Sequence, residues 1–260
     1  MATRWYFGGD ATAKTHDWST RNITYTSHFG TIQEARTSAQ TPTSGTFYDE
    51  FYCSEDESGT TGLYYGIVEF VTKPLAAQTI LQNATFKLRI GPLETNAAAN
   101  DKLVLEVVQY NSSDAIVADM YYAAGATEFD SSIYESRVAT VTVPSNKSIS
   151  DNDYLRLRVG YIAANTKTAI YSGYVLRQYN SGWSDISDAD ETTDVSPGTN
   201  LNPWIECSQT LTFYTAAAIN AKVMVDGAWK TVSAAKVMVD GAWKAVSAIK
   251  TMVNGVWKVT

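Results

Sequence analysis

Few side chains in this sequence have the type and spacing that chemistry requires. The 260-residue chain carries two histidines, His16 and His28, and two cysteines, Cys53 and Cys207. Neither histidine sits in an HExxH pair or beside a nucleophile, and no GxSxG elbow or phosphate-cradling glycine loop occurs. The two carboxylates of a glycosidase can stand anywhere in a chain, and nothing here singles out a pair. The segment SDISDADETTD, 184–194, gathers Asp185, Asp188, Asp190, Glu191 and Asp194. An EF-hand loop places its ligands at alternate positions around a central glycine and closes on a glutamate. This segment has no such order, so it reads as a solvated acidic loop rather than a calcium site. The sequence thus assigns no catalytic residue, no metal ligand and no cofactor.

Cys53 and Cys207 each lie in an aromatic-rich, strand-like stretch, FYDEFYCS and NPWIECSQ. Two buried thiols are expected there, with a disulfide as the alternative. Trp183 and Trp204, near loops rich in Asn and Asp, are candidates for a sugar-stacking platform.

Lys and Arg total 20 against 27 Asp and Glu, a net charge of −7. A general nucleic-acid binder would be more basic, so no nucleic-acid partner is expected. No apolar run reaches the ~18 residues that argue for a spanning helix, so no membrane insertion is expected. MATRWYFGGD lacks the basic and apolar regions of a secretion signal. The expectation is a protein made and folded in a cytoplasm, where the N-x-S/T triplets at Asn22, Asn83, Asn111 and Asn146 carry no weight.

The elements that must hold these residues are strands. Sixteen tyrosines and abundant Thr and Ser favour extended structure. Residues 1–62 read as an amino-terminal arm and a loop-rich region. Arg4 to Phe7 forms an aromatic strand or an arm onto a neighbour, 20–29 an edge strand, and 30–46 a long surface loop. From 63 to 215 come eight strand candidates: LYYGIVEFV, TFKLRI, KLVLEVVQY, IVADMYY, RVATVTV, YLRLRVGYI, AIYSGYVLRQY and WIECSQTLTFY. Gly, Pro, Asn, Asp and Ser clusters bound them, and only LAAQTILQ hints at a helix. The fold class expected is all-β, an antiparallel jelly-roll-like β-sandwich followed by tandem hairpins.

Two strands alternate cleanly. Phe86, Leu88 and Ile90 point one way and Lys87 and Arg89 the other, while Leu155, Leu157 and Val159 oppose Arg156 and Arg158. The four basic side chains are expected on a solvated outer face. Were the two strands neighbours, they would make a positive patch suited to an acidic partner.

Residues 216–260 contain three copies of a fourteen-residue unit: AKVMVDGAWKTVSA, AKVMVDGAWKAVSA and IKTMVNGVWKVT, the last truncated and divergent. Asp226-Gly227, Asp240-Gly241 and Asn254-Gly255 suit the type I′ turn of a two-residue hairpin. One face of each hairpin then carries Met224 with Trp229, Met238 with Trp243, and Met252 with Trp257, and the other carries valines. Ribbons apolar on both faces need a cover. The preceding domain, other copies of the chain or a larger assembly would each serve, and the six Met and Trp residues are the candidate oligomer or docking contacts.

Val223, Val225, Gly227, Trp229 and Lys230, with their equivalents in the next two copies, form a V-x-V-x-G-x-W-K pattern. Behind a Tyr- and Thr-rich β domain, it resembles the repeats at the chain ends of accessory structural proteins of tailed bacteriophage virions. The resemblance implies a virion component, either a capsid decoration or head-fibre protein or a tail or baseplate protein, made in the host bacterial cytoplasm. It implies capsid or tail proteins as partners, assembly as a homo-oligomer of the trimer type, and no catalytic residues. The chain departs from a tail fibre in lacking a long shaft, which favours a compact attached knob. The alternative function is a carbohydrate- or receptor-binding module for host attachment, with a surface glycan as partner.

Overall fold

The computed structural model describes residues 2–11, 33–37, 48–56, 64–163, 170–178, 180–215, 222–225, 228–231, 236–239, 242–245, 250–253 and 256–259. The protein is all-β, with no helix among these residues. It divides into two compact units, Met1–Tyr214 and Thr215–Thr260.

The first unit contains β1 (Thr3–Ala11), β2 (Gln33–Arg36), β3 (Tyr48–Asp56), β4 (Tyr64–Val71), β5 (Gln78–Ile80), β6 (Thr85–Glu94), β7 (Asp101–Tyr110) and β8 (Ile116–Glu128). After these come β9 (Arg137–Thr142), β10 (Lys147–Ile149), β11 (Tyr154–Ala163), β12 (Ile170–Gln178), β13 (Ser184–Asp185), β14 (Leu201–Asn202) and β15 (Trp204–Cys207). All eight segments whose alternation predicts a strand from 63 to 215 form one. LAAQTILQ is not helical: Gln78–Ile80 pairs with β10 instead. The expected loop 30–46 holds β2, wedged between β1 and β4 with Ala35 in the core. The expected strand at 20–29, and both histidines, lie outside the described residues.

Among the described residues eleven strands form one sheet, ordered β3-β12-β6-β15-β1-β2-β4-β11-β7-β8, with β9 also on β6. β6 divides its pairing. Thr85–Ile90 faces β9, Phe86–Arg89 also faces β15, and Gly91–Glu94 turns to β12. The sheet curls until β8 lies beside β9, where a Cβ on Gly125 would stand 2.5 Å from the Val138 carbonyl oxygen. Only glycine permits that approach.

The curl encloses the main core, because alternate residues of each strand face inward. Phe86, Leu88 and Ile90, and Leu155, Leu157 and Val159, are fully buried, as their alternation predicts. Trp5 stacks on Phe86 and Phe7 on Phe70, with ring centroids 6.3 and 4.3 Å apart. Cys207 belongs to this core and carries a free thiol, which burial pushes up to about 11; the Cys53 side chain lies outside the described residues.

The opposite face of β11 corrects the expectation of solvated arginines. Arg156 and Arg158 are buried, as is Arg89 of β6, and β11 is not a neighbour of β6, so no four-residue basic patch forms. In the three-strand register Arg158 faces Glu69 of β4 on one side and Glu106 of β7 on the other. Its guanidinium lies 3.4 Å from Glu69 and 3.0 Å from Glu106, and Nη2 donates to the Tyr110 hydroxyl at 2.6 Å. Arg156 donates to Glu69 at 2.9 Å and lies 3.9 Å over the Tyr110 ring, which stacks on Tyr154. Coulombic attraction from the carboxylates outweighs burial and holds both guanidinium pKa values above the ordinary arginine value. Pairing two acids with two bases is what lets four charges leave water together.

The second unit contains β16 (Lys222–Val225), β17 (Ala228–Thr231), β18 (Lys236–Val239), β19 (Ala242–Ala245), β20 (Lys250–Val253) and β21 (Val256–Val259). They pair antiparallel two by two in one repeated register: Met224 faces Trp229, Met238 faces Trp243 and Met252 faces Trp257. The Asp-Gly and Asn-Gly connections, and the side chains of these strands, lie outside the described residues.

Candidate functional site

The acidic segment singled out by its composition lies within a loop, Asn180–Asn202, whose two ends meet. Asn202 closes the neck. Its side chain accepts from the Asn180 amide at 2.8 Å and donates to the carbonyls of Asn180 and Trp183 at 3.0 and 3.1 Å. Loops positioned on a rigid scaffold are a frequent seat of binding residues. Asn202 is 1% exposed, so these bonds exchange no partner with water.

Two apolar anchors seat the loop on the sheet. Ile186 donates its amide to the Asn202 carbonyl and accepts from the Trp204 indole at 2.8 Å. Val195 packs with Tyr134 and Ile186 in a small core of its own. Gly91 of β6 makes room for Val195: a Cβ there would lie 2.1 Å from the valine Cγ2.

Basic side chains clamp the rest. Arg4 of β1 binds Asp185 at 2.6 Å and Glu206 at 2.8 Å, and the Tyr6 hydroxyl donates to the same Asp185 oxygen. Burial alone would lower the Arg4 pKa, but its two carboxylate partners raise it. Lys87 binds Asp188 at 2.9 Å, and Arg89 donates to the Asp188 and Asp190 carbonyls. Arg137 donates to the Glu191 carbonyl at 2.6 Å, and Thr127 donates to the Glu191 carboxylate. Asp190 and Asp194 instead cap turns of the loop, and their bonds from Thr192 and Ser196 hold both carboxyls below the usual range. The five acids therefore take separate partners. Among the described residues no group of three or more His, Cys, Asp or Glu is arranged to hold a metal.

Trp183 is half-buried at the neck of the loop. Trp204 is 1% exposed, with its indole N–H given to Ile186 and the Arg4 guanidinium 4.0 Å over its ring. That face is already covered, and of these two tryptophans Trp183 alone keeps exposed surface. Met224, Trp229, Met238, Trp243, Met252 and Trp257 share the repeated register described above. Arg4, Arg137 and Asn202 have no motif that marks them as clamps. The one legible sign is Arg137, a charge that opens the apolar strand RVATVTV.

No protein-family model matches the chain, and no curated protein matches it. Among solved structures it is similar to a CocE/NonD family hydrolase from Staphylococcus aureus, at a TM-score of 0.26 and 11% identity over 82% of this chain and 35% of that one. A second structure of a CocE/NonD family hydrolase from the same organism matches at 0.24 and 10%, over 80% and 34%. The chain spans about a third of the length of those hydrolase chains.

Proposed function

We propose that this protein is a structural component of a tailed bacteriophage virion, a capsid decoration or head-fibre protein or a tail protein. On this reading it docks on the particle and oligomerises through β-rich contacts, with a jelly-roll-like sandwich as its body and three type I′ hairpins at its carboxy end. The observation that carries the reading is the threefold unit V-x-V-x-G-x-W-K. Its strands pair in one register, with Met facing Trp in each copy, and its sequence is apolar on both sides of the ribbon. Burial is favourable by ~25 cal/mol per Å² of apolar surface, so such ribbons drive association. Assembly as a homotrimer, with capsid or tail proteins as partners, follows from the same reading.

The test compares the full chain with a variant in which Trp229, Trp243 and Trp257 are all replaced by Ala, in solution and in particle incorporation. Loss of the oligomer and of incorporation supports the proposal; unchanged assembly rejects it. Host-glycan binding has less support, because Trp204 is buried beneath Arg4.

A further inference from the structure

Between the anchors Ile186 and Val195, the arc Ser187–Asp194 buries no apolar side chain, and Asp188, Ala189 and Asp190 are exposed. Only polar contacts hold it to the sheet. Beneath it lie two guanidinium groups more than nine-tenths buried, those of Arg89 and Arg137, each 5% exposed. They converge on consecutive arc residues, since Arg89 donates to the Asp190 carbonyl and Arg137 to that of Glu191.

Among the described residues the side-chain partners of Arg89 are atoms of the arc: the Asp188 and Asp190 carbonyls, and the Asp188 carboxylate 3.5 Å from Nε. That Nε donor is buried and makes no hydrogen bond among the described residues. The ion pairs do not balance. Lys87, Arg89 and Arg137 are matched by Asp188 and by Glu135, which lies 2.9 Å from Arg137. Three cations share two directly paired carboxylates, while Asp190 and Asp130 act on Arg89 and Arg137 through space only. Carbonyls satisfy a guanidinium's hydrogen bonds without neutralising it; an oxyanion does both.

We propose that Lys87, Arg89 and Arg137 form an oxyanion-binding site and that the arc Ser187–Asp194 is its flap, occupying the site with its own carbonyls and the Asp188 carboxylate. The ligand is a phosphate, sulfate or carboxylate group, taken up when the arc swings out between its two apolar anchors. Arg89 supplies the fork, including the Nε that pairs with Asp188 at 3.5 Å while the arc is docked, and Lys87 a second charge. Arg137 keeps its bonds to Glu135 and to the Glu128 and Ser136 carbonyls, and the Nη1 hydrogen that held the Glu191 carbonyl is left for the ligand. The flap's acids set the selectivity. Asp188 competes directly with the ligand, and the bonds of Glu191 to Thr127 of β8 and of Thr193 to the Ser136 amide break as the arc moves, while Asp190 and Asp194 keep their turns within it.

The test titrates the full-length protein with inorganic phosphate, sulfate and acetate at constant ionic strength, read by calorimetry and by hydrogen exchange of residues 187–194. Saturable binding of at least one anion, with faster exchange of the arc, is expected. Arg89→Gln should weaken that binding about tenfold or more, the loss of a charge-assisted hydrogen-bonding group. Asp188→Asn, which keeps every cation and removes the internal competitor, should tighten it. The strongest of the three anions identifies the ligand group. Absence of saturable binding to both the parent protein and Asp188→Asn overturns the proposal. So does an Arg89→Gln protein, folded by its thermal transition, that binds as the parent does. Should Arg89→Gln fail to fold, an Asp188→Asn affinity no tighter than the parent's overturns it as well.

Discussion

Replacing Arg158 with Met keeps the unbranched stem of the side chain in place and removes its charge. The guanidinium is fully buried and serves Glu106 at 3.0 Å, Glu69 at 3.4 Å and the Tyr110 hydroxyl at 2.6 Å. Without it, two buried carboxylates share the single charge of Arg156. Removing one partner of a buried ion pair costs about 3–5 kcal/mol, because the charge left behind has neither water nor a counter-ion. An exposed pair would cost at most about 1 kcal/mol. Urea unfolding of the first unit, followed by tryptophan fluorescence, should therefore show a midpoint shift worth about 3–5 kcal/mol at an unchanged slope. Glu106→Gln in the Arg158→Met background should recover part of that loss by removing the stranded charge. A loss of about 1 kcal/mol or less would refute the claim that the β4-β11-β7 row is a buried ionic lattice.

Three further outcomes follow from the packing and the charges. Gly91→Ala should destabilise the first unit by about 1–3 kcal/mol through overpacking against Val195, and Val195→Ala in the same protein should restore part of it; thermal unfolding of the parent protein and the two variants checks this. Burial alone would push the Asp188 carboxyl up, but the bonded Lys87 ammonium and the Arg89 guanidinium outweigh it and hold the pKa below the ordinary value. A carboxyl depressed in this way stabilises the docked arc above its unfolded pKa and stops doing so as pH falls through the docked value. The protection factors of residues 187–194 against hydrogen exchange should thus fall on acidification below about pH 4, and Asp188→Asn should flatten that dependence. Finally, in a Cys53→Ala background the Cys207 thiol, pushed up to about 11 by burial, should resist thiol reagents at pH 8 until the chain is unfolded.

The strands were legible because their side chains alternate, and TFKLRI and YLRLRVGYI face as they read. Gln33–Arg36 was not legible: four residues with one small apolar side chain, Ala35, carry no period, and only the gap between β1 and β4 makes them a strand. Alternation tells which side a residue takes but not what covers that side, so Arg156 and Arg158 read as solvated. The missing signal was in the neighbours, where a lone Glu interrupts IVEFV and VLEVV and matches Arg158 across both ladders. The segment 184–194 read as a solvated acidic loop, but Asp185, Asp188 and Glu191 are bound by side chains of the sheet. Its clamps stand far upstream, Lys87 being 101 residues from Asp188, and no local pattern joins residues that far apart. Trp204 read as a platform because aromatic character alone does not distinguish a ring open to solvent from one under a guanidinium.

The most direct test of the proposed virion role is the mass of the purified full-length protein in solution, by sedimentation or light scattering, beside that of the variant with Trp229, Trp243 and Trp257 all changed to Ala. The account predicts a homotrimer for the parent protein and a monomer for the variant. A parent protein that is monomeric at all concentrations, or a variant that remains trimeric, would contradict it.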